Sequence, residues 1–447
     1  MTSNEIHPSV SLGAMAQGHN GGQSAQANPE SIKPVEIAVG VVIGRASEYF
    51  DFFVFGIASA LVFPSVFFPF APRLEATLWA FAVFALAFIA RPFGSMLFMG
   101  IQRRWGRAVK LTGALFLLGI CTAGVAFLPP YSHLGSSAIF FLGLLRVGQG
   151  VAVGGSWDGL PSLLALHTPP EKRGWYAMIG QLGAPLGFVL ACGMFSFMLN
   201  NIDTKDFLDW GWRYPFYVAF AINVVALFAR LQLVTNTLFS RLLDEKELEP
   251  SKVSDLTRDQ SVNIFIGAFA AIASLALFHI VTVFPLSWVS LFSNRPIEDF
   301  LHIQLWGALL AAGGIVASGW MADRIGRRSA LGMMAIPVAA FSLAVPSLLS
   351  GPKIGQDLFI LIGFLVLGLS YGQAAGAVTS NFEPKYRYTG AALTSDFAWL
   401  LGAAFAPLVA LGLSARFGLV SVSIYLLSGV ACTLLALYIN KARTERS

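Results

Sequence analysis

Arg45, Glu48 and Asp51 recur at three-residue intervals inside an apolar run that reads GRASEYFDFFVFG. Helical steps of about 100° place them within an arc of about 120°, on one face of a helix. If that run crosses a bilayer, each charge costs at least ~2.5–3.5 kcal/mol at its centre, so the face is expected to border a water-accessible path. Glu48 or Asp51 would then take a proton, because desolvation favours a neutral carboxyl. The structural alternative is an ion pair between Arg45 and Glu48. Arg146 lies about nine residues into another apolar run, or ~13 Å deep at 1.5 Å per residue. A guanidinium at that depth can hold a carboxylate through two parallel hydrogen bonds, and Gln149 follows one turn on. The alternative is an interhelical pair with Asp158 or Glu48. Asp158 and Asp396 are the other acids in apolar surroundings, and each must meet a cation or be protonated. Asp396 reads as a second proton site or a partner of Arg387, although nine residues of one helix separate those two. His279 and His302 are expected near the outer ends of their helices, as interfacial or packed residues, with proton coupling the sharper reading of His279.

These residues need long helices to position them, and composition supplies the helices. The 447-residue chain is 56% hydrophobic and 12% charged, with mean hydropathy +0.68. A soluble domain carries roughly 25% charged residues. A soluble core cannot absorb so much apolar surface, whereas a bilayer can. At about 20 apolar residues per crossing, twelve spans fit, near 35–62, 76–100, 108–128, 137–166, 175–200, 213–234, 262–292, 300–321, 329–350, 357–381, 388–414 and 417–440. The fold class is therefore all-α integral membrane. An even number of spans puts both termini on one side. The loops holding Arg103, Arg104, Arg107 and Lys110, then Lys172 and Arg173, then Arg324, Arg327 and Arg328, then Lys385 and Arg387, carry the Lys/Arg excess that marks the cytoplasm.

Residues 1–33 are polar and too poor in apolar side chains to order themselves, and they lack the pattern of a cleavable signal. Residues 34–234 form one six-helix half and 261–440 the other. The charged stretch 235–260 is a cytoplasmic connection, and 441–447 a cytoplasmic tail. The halves repeat each other: RRWGR at Arg103–Arg107 matches DRIGR at Asp323–Arg327, and EKRGW at Glu171–Trp175 matches KYRYTG at Lys385–Gly390. Repeated units with a binding site at their interface are the usual build of a secondary transporter.

The ordered set of motifs resembles the major facilitator superfamily and, within it, the metabolite:proton symporter family of shikimate, α-ketoglutarate, citrate and proline/betaine transporters. The set runs GRASEYFDFFVFG, RPFGSMLF, RVGQGVAVGGSWDG, QLGAPLG, WGWRYPF, GWMADRIGRR and RYTGAAL. The resemblance covers nearly all of residues 35–440. It implies two pseudo-symmetric six-helix halves around a central cavity, with Arg45, Glu48, Asp51, Arg146, Gln149, Asp158 and Asp396 at the substrate or proton-coupling site. It also implies a cytoplasmic gate of Arg103, Arg107, Asp323, Arg324, Arg327 and Arg387, in which Asp323 meets the start of the fifth or eleventh helix. The family's loop acid is Arg103 here, its acid in the fourth span is Ser156, and its first-span asparagine is Arg45, which marks a distinct branch. A cation suits a helix N-terminus poorly, so Arg103 is expected to pair with Glu383 instead.

Several classes are excluded. The basic residues form no run, so nucleic-acid binding has no support. Cys121, Cys192 and Cys432 lie far apart in apolar stretches, without metal or disulfide spacing. No ATP-binding loop, zinc spacing or serine-nucleophile elbow occurs, so neither an enzyme nor a cofactor is expected. The expected partners are a small solute, protons and the lipid bilayer, without an obligate protein partner. The expected function is proton-coupled symport of a small organic anion or zwitterion by alternating access in a bacterial-type inner membrane. The rivals are a proton-antiport exporter of toxic compounds and a transporter-like solute sensor.

Overall fold

In lipid each backbone N–H and C=O must be satisfied within its own segment, so apolar runs of this length fold as helices. A computed structural model of the chain describes residues 34–156, 170–235, 249–374 and 381–444. Its long helices are α1 (Pro34–Leu61), α2 (Arg73–Phe127), α3 (Ser136–Ser156), α4 (Arg173–Asn201), α5 (Tyr214–Thr235), α6 (Val253–Phe292), α7 (Ile297–Ile325), α8 (Arg327–Leu349), α9 (Lys353–Tyr371), α10 (Pro384–Phe417) and α11 (Val420–Thr444). At 55 residues α2 would extend ~80 Å, more than twice the ~30 Å of a hydrocarbon core. It is two crossings, because Gly106 breaks it with φ 84° and ψ 172°. The described helices therefore make twelve crossings.

The turns differ at the two ends of the bundle. At the end bearing the RRWGR and DRIGR loops, called the basic end below, Gly106 and Gly326 both turn the chain at φ 84°. An L side chain resists that backbone region, so the repeated glycine is a backbone requirement. At the opposite end Pro72, Pro296 and Pro352 immediately precede α2, α7 and α9. Proline there starts a helix without forfeiting an internal hydrogen bond.

Helix association in lipid depends on close packing, and glycine supplies it. A Cβ on Gly150 of α3 would sit 2.2 Å from the Ala87 carbonyl of α2, and one on Gly154 would sit 2.2 Å from the Arg91 carbonyl. In the second half a Cβ on Gly368 of α9 would lie 2.2 Å from the Ala311 carbonyl of α7. The same backbone-to-backbone contact is thus built twice, once per half. Gly183 and Gly187 of α4 likewise press on α1, against Arg45 and Phe50.

Three expectations change. Lys110 does not sit in a loop: it lies inside α2, is buried, and donates to Tyr388 Oη of α10 at 2.9 Å. The connection expected over 235–260 is helical from Val253, and α6 kinks at Gln260 (φ −131°, ψ 16°). His279 lies midway along the α6 crossing, fully buried, because its flanks are as apolar on one side as on the other. Residues 1–33 and Asp158 lie outside the described residues.

Gly150→Ala and Gly368→Ala should each destabilise the protein by ~1–3 kcal/mol through overpacking. The readout is the temperature at which half the monodisperse peak is lost in detergent. Gly193→Ala, whose added Cβ meets nothing within 4 Å, should leave that temperature unchanged.

Candidate functional site

The face predicted on α1 points into the bundle, where Arg45 and Glu48 pair with each other and Asp51 has other partners. Arg45 Nη1 lies 2.7 Å from Glu48 Oε2, one turn along, and its guanidinium is 5.3 Å from the Tyr49 ring centre. The other Glu48 oxygen accepts from Ser156 Oγ of α3 at 3.2 Å. Asp51, only 3% exposed, accepts from Thr122 Oγ1 at 2.5 Å and from Asn223 Nδ2 at 3.5 Å.

Thr122 connects Asp51 to Arg146. Gln149 Nε2 donates to Thr122 Oγ1 at 3.0 Å, and Gln149 Oε1 accepts from Arg146 Nη1 at 3.0 Å. Every bond in this chain runs the same way, each donor facing the acid: Arg146 to Gln149, Gln149 to Thr122, Thr122 to Asp51. Arg146 and Asp51 thus feel each other through two neutral side chains rather than as a contact pair. Arg146 Nε donates to the Phe84 carbonyl at 3.2 Å, and the guanidinium is 4.0 Å from the Phe55 ring centre and 4.8 Å from that of Phe84. Arg146 is 2% exposed, yet its Nη2 has no hydrogen-bond partner. An unmade bond on a buried group costs ~1–3 kcal/mol, and more on a charged one. Such an atom is what a ligand acceptor would satisfy.

A cavity of about 60 Å³ opens among these groups, lined by Arg45, Glu48, Asp51, Arg146, Phe88 and Trp399 among others. The Phe88 and Trp399 rings stack at 6.0 Å and 18° and bring the second half into the wall. Behind the wall His279 is 0% exposed, with rings of Phe52, Phe84, Phe88, Phe278 and Trp399 within 5.4 to 6.5 Å. Neither of its ring nitrogens has a hydrogen-bond partner.

Asp396 neither faces Arg387 nor stands alone. Arg91 Nε of α2 meets its Oδ1 at 2.7 Å, and Ser95 Oγ donates to its other oxygen. Sequence reasoning noted RPFGSMLF as a motif and missed Arg91 as a site residue. Its position four residues before Ser95 on one face was the available signal. Thr122 gave none, since a threonine in an apolar run is unremarkable. This ion pair joins the two halves, as does the hydrogen bond between Tyr49 and Tyr371.

At the basic end, polar contacts hold the halves together. Asp323 Oδ1 accepts from the backbone N–H of Gly174 at 2.7 Å and of Trp175 at 3.1 Å, at the start of α4. The N–H groups of a helix's first turn lack internal partners, so a carboxylate suits them. Gln373 Nε2 adds a bond to the Gly174 carbonyl at 3.2 Å, and Arg327 Nε orients Gln373 at 3.1 Å. Arg324 turns instead onto the exposed Trp320 ring, at 3.8 Å. Arg107 and Arg387 are half-buried nearby. Arg103 does not pair with Glu383, which meets Lys385 and Gln260. Arg103 Nη1 reaches the Ser251 carbonyl at 3.0 Å, and Ser251 N–H donates to Thr389 Oγ1 at 2.9 Å. The missing acid is thus replaced by backbone from the connection between halves, which presents a carbonyl to the cation.

The model of the Major Facilitator Superfamily matches residues 79–407. The chain is 33% identical over 419 residues to the inner membrane metabolite transport protein YhjE of Escherichia coli K12, covering 92% of this chain and 95% of that one. It is 30% identical over 407 residues to the shikimate transporter of the same organism, with 88% and 91% covered. To the proline/betaine transporter of Salmonella typhimurium it is 27% identical over 376 residues, covering 80% and 74%. Its fold resembles the crystal structure of a D-xylose-proton symporter, with TM-score 0.69, 20% identity, and 90% and 97% of the chains covered.

Breaking one side of a buried ion pair costs ~3–5 kcal/mol, whereas an apolar replacement of both sides is often neutral. Arg91→Met and Asp396→Leu should therefore each lower thermal stability, and the double variant should be more stable than either. Additive losses would show that the pair does not bridge the halves.

Proposed function

Because the chain belongs to the Major Facilitator Superfamily, and so is a multi-pass membrane transporter of metabolites, we propose that it carries a small organic carboxylate together with a proton by alternating access. The observation that carries this reading is the directed chain from Arg146 through Gln149 and Thr122 to Asp51. Arg45 is balanced by Glu48 and Arg91 by Asp396, which leaves Asp51 and Arg146 to balance one another at a distance. Protonating Asp51 leaves Arg146 as one uncompensated positive charge. A carboxylate on Arg146 Nη2 restores neutrality and supplies the missing hydrogen-bond partner. The fully empty and fully loaded sites are both neutral, while a site with only the proton or only the anion carries a net charge. Burying a net charge while the halves rock is costly, and that cost couples the two fluxes.

Among the relatives' names, shikimate is a net anion carrying one carboxylate, as this charge balance requires. The Lys/Arg excess puts the basic end, and with it both termini, in the cytoplasm. Release of the Asp323 contact with Gly174 and Trp175 then opens the cytoplasmic path, and the halves 34–234 and 261–440 move as the two rocking units.

Asp51→Asn imitates the protonated acid. It should cut accumulation driven by a pH gradient in proteoliposomes by at least ~10-fold, because one charge left uncompensated costs ~2.5–3.5 kcal/mol. Solute exchange without a gradient should persist in that variant, and Arg146→Gln should lose both activities. Wild-type accumulation that survives collapse of the pH gradient would overturn symport, and gradient-driven efflux would favour export.

A further inference from the structure

We infer that His279 is the second half's hydrogen-bonding contact to the solute, and that the solute is a carboxylate carrying a hydroxyl group. This deepens the carboxylate reading above and rests on it.

Among the buried polar groups at the centre with unmade hydrogen bonds, which include Asn223 Oδ1 beside Asp51, Arg146 and His279 come from opposite halves. Arg146 Nη2 belongs to α3, and both ring nitrogens of His279 belong to α6. Both residues pack on the Phe84 ring, the guanidinium at 4.8 Å and the imidazole at 5.4 Å from its centre. They therefore lie within the length of one small molecule. A fully buried histidine ordinarily donates from one nitrogen and accepts at the other. Here the surrounding aromatic rings offer neither, so packing alone gives no reason for an imidazole where leucine or phenylalanine would fill the space.

The cavity lies on the other side of those rings. Phe52, Phe88 and Trp399 line it and also pack against His279. His279 does not line the cavity, and these rings stand between them, so a solute reaches the imidazole when the rings turn aside. Rings that turn aside bring the imidazole to the cavity. Arg146 then holds the carboxylate, and His279 receives a group at the far end of the solute. That group is uncharged, because the cage around His279 contributes aromatic faces and no acid. A hydroxyl fits best, since a neutral imidazole can both accept from it and donate to it. A quaternary ammonium would suit the aromatic faces but would leave both imidazole nitrogens unpaired.

The test uses full-length purified protein and calorimetric titration with matched acids: benzoate with 3- and 4-hydroxybenzoate, propionate with lactate, succinate with malate, and glycine betaine. At least one hydroxylated acid should bind ~10-fold or more tightly than its match, because a site built around a hydroxyl rejects the analogue that lacks it. His279→Leu should abolish that advantage and leave the unhydroxylated match within about 2-fold, while His279→Gln should restore part of it. His279→Leu should also be at least as heat-stable as the wild type, since it removes two unsatisfied buried nitrogens. A hydroxyl preference that survives His279→Leu, tightest binding of glycine betaine, or a loss of stability in His279→Leu would overturn the proposal while leaving the carboxylate reading intact. Failure of every acid to bind the wild type would overturn both.

Discussion

A guanidinium in the middle of a bilayer must be balanced, and the centre of this protein is organised around balancing Arg146. Its positive charge is neither exposed to water nor cancelled by a contact pair. It is held against two phenylalanine rings and tied to Asp51 through Gln149 and Thr122. A contact pair would quench the charge and leave little for a ligand to gain. The neutral spacers keep Arg146 and Asp51 coupled in a low-dielectric interior, where interaction weakens slowly with distance, and keep one guanidinium nitrogen unengaged.

The rest of the fold supplies what that arrangement needs. Gly150 and Gly154 let α3 lie directly on the backbone of α2, which fixes Arg146 relative to the Phe84 carbonyl it bonds. The second half contributes Trp399 to the cavity wall, with His279 behind it, and adds Asp396 to neutralise Arg91. Contacts between halves differ in kind along the bundle. Midway they are largely apolar, as where Phe53 and Phe278 stack at 5.4 Å. At the basic end they are directional hydrogen bonds around Asp323, Lys110 and Ser251. Hydrogen bonds exchange readily for water when a surface opens, at a modest net cost.

The two repeats have diverged where they meet the opposite half. Asp323 caps the start of α4 directly, whereas Arg103, at the matching position, holds backbone from the connection against Thr389 of α10. The glycine turns of the two loops keep the same left-handed φ of 84°. Backbone geometry has persisted while side-chain chemistry changed sign, and the connection compensates.

Much of this was legible in the residues alone. Apolar run length and the penalty for unsatisfied backbone in lipid determine helices and their number. Period and depth put Arg45, Glu48, Asp51 and Arg146 inside, because lipid tolerates charge nowhere else. Those constraints act within one segment, so one segment reveals them. Partnership is different. That Asp396 meets Arg91, that Thr122 joins Asp51 to Gln149, that Lys110 reaches Tyr388 and that His279 sits among the first half's aromatic rings all depend on helices far apart in sequence. Hydrophobicity drives each helix into the bilayer without specifying its neighbour, so only the packed bundle decides which charges meet and which polar atoms stay unengaged.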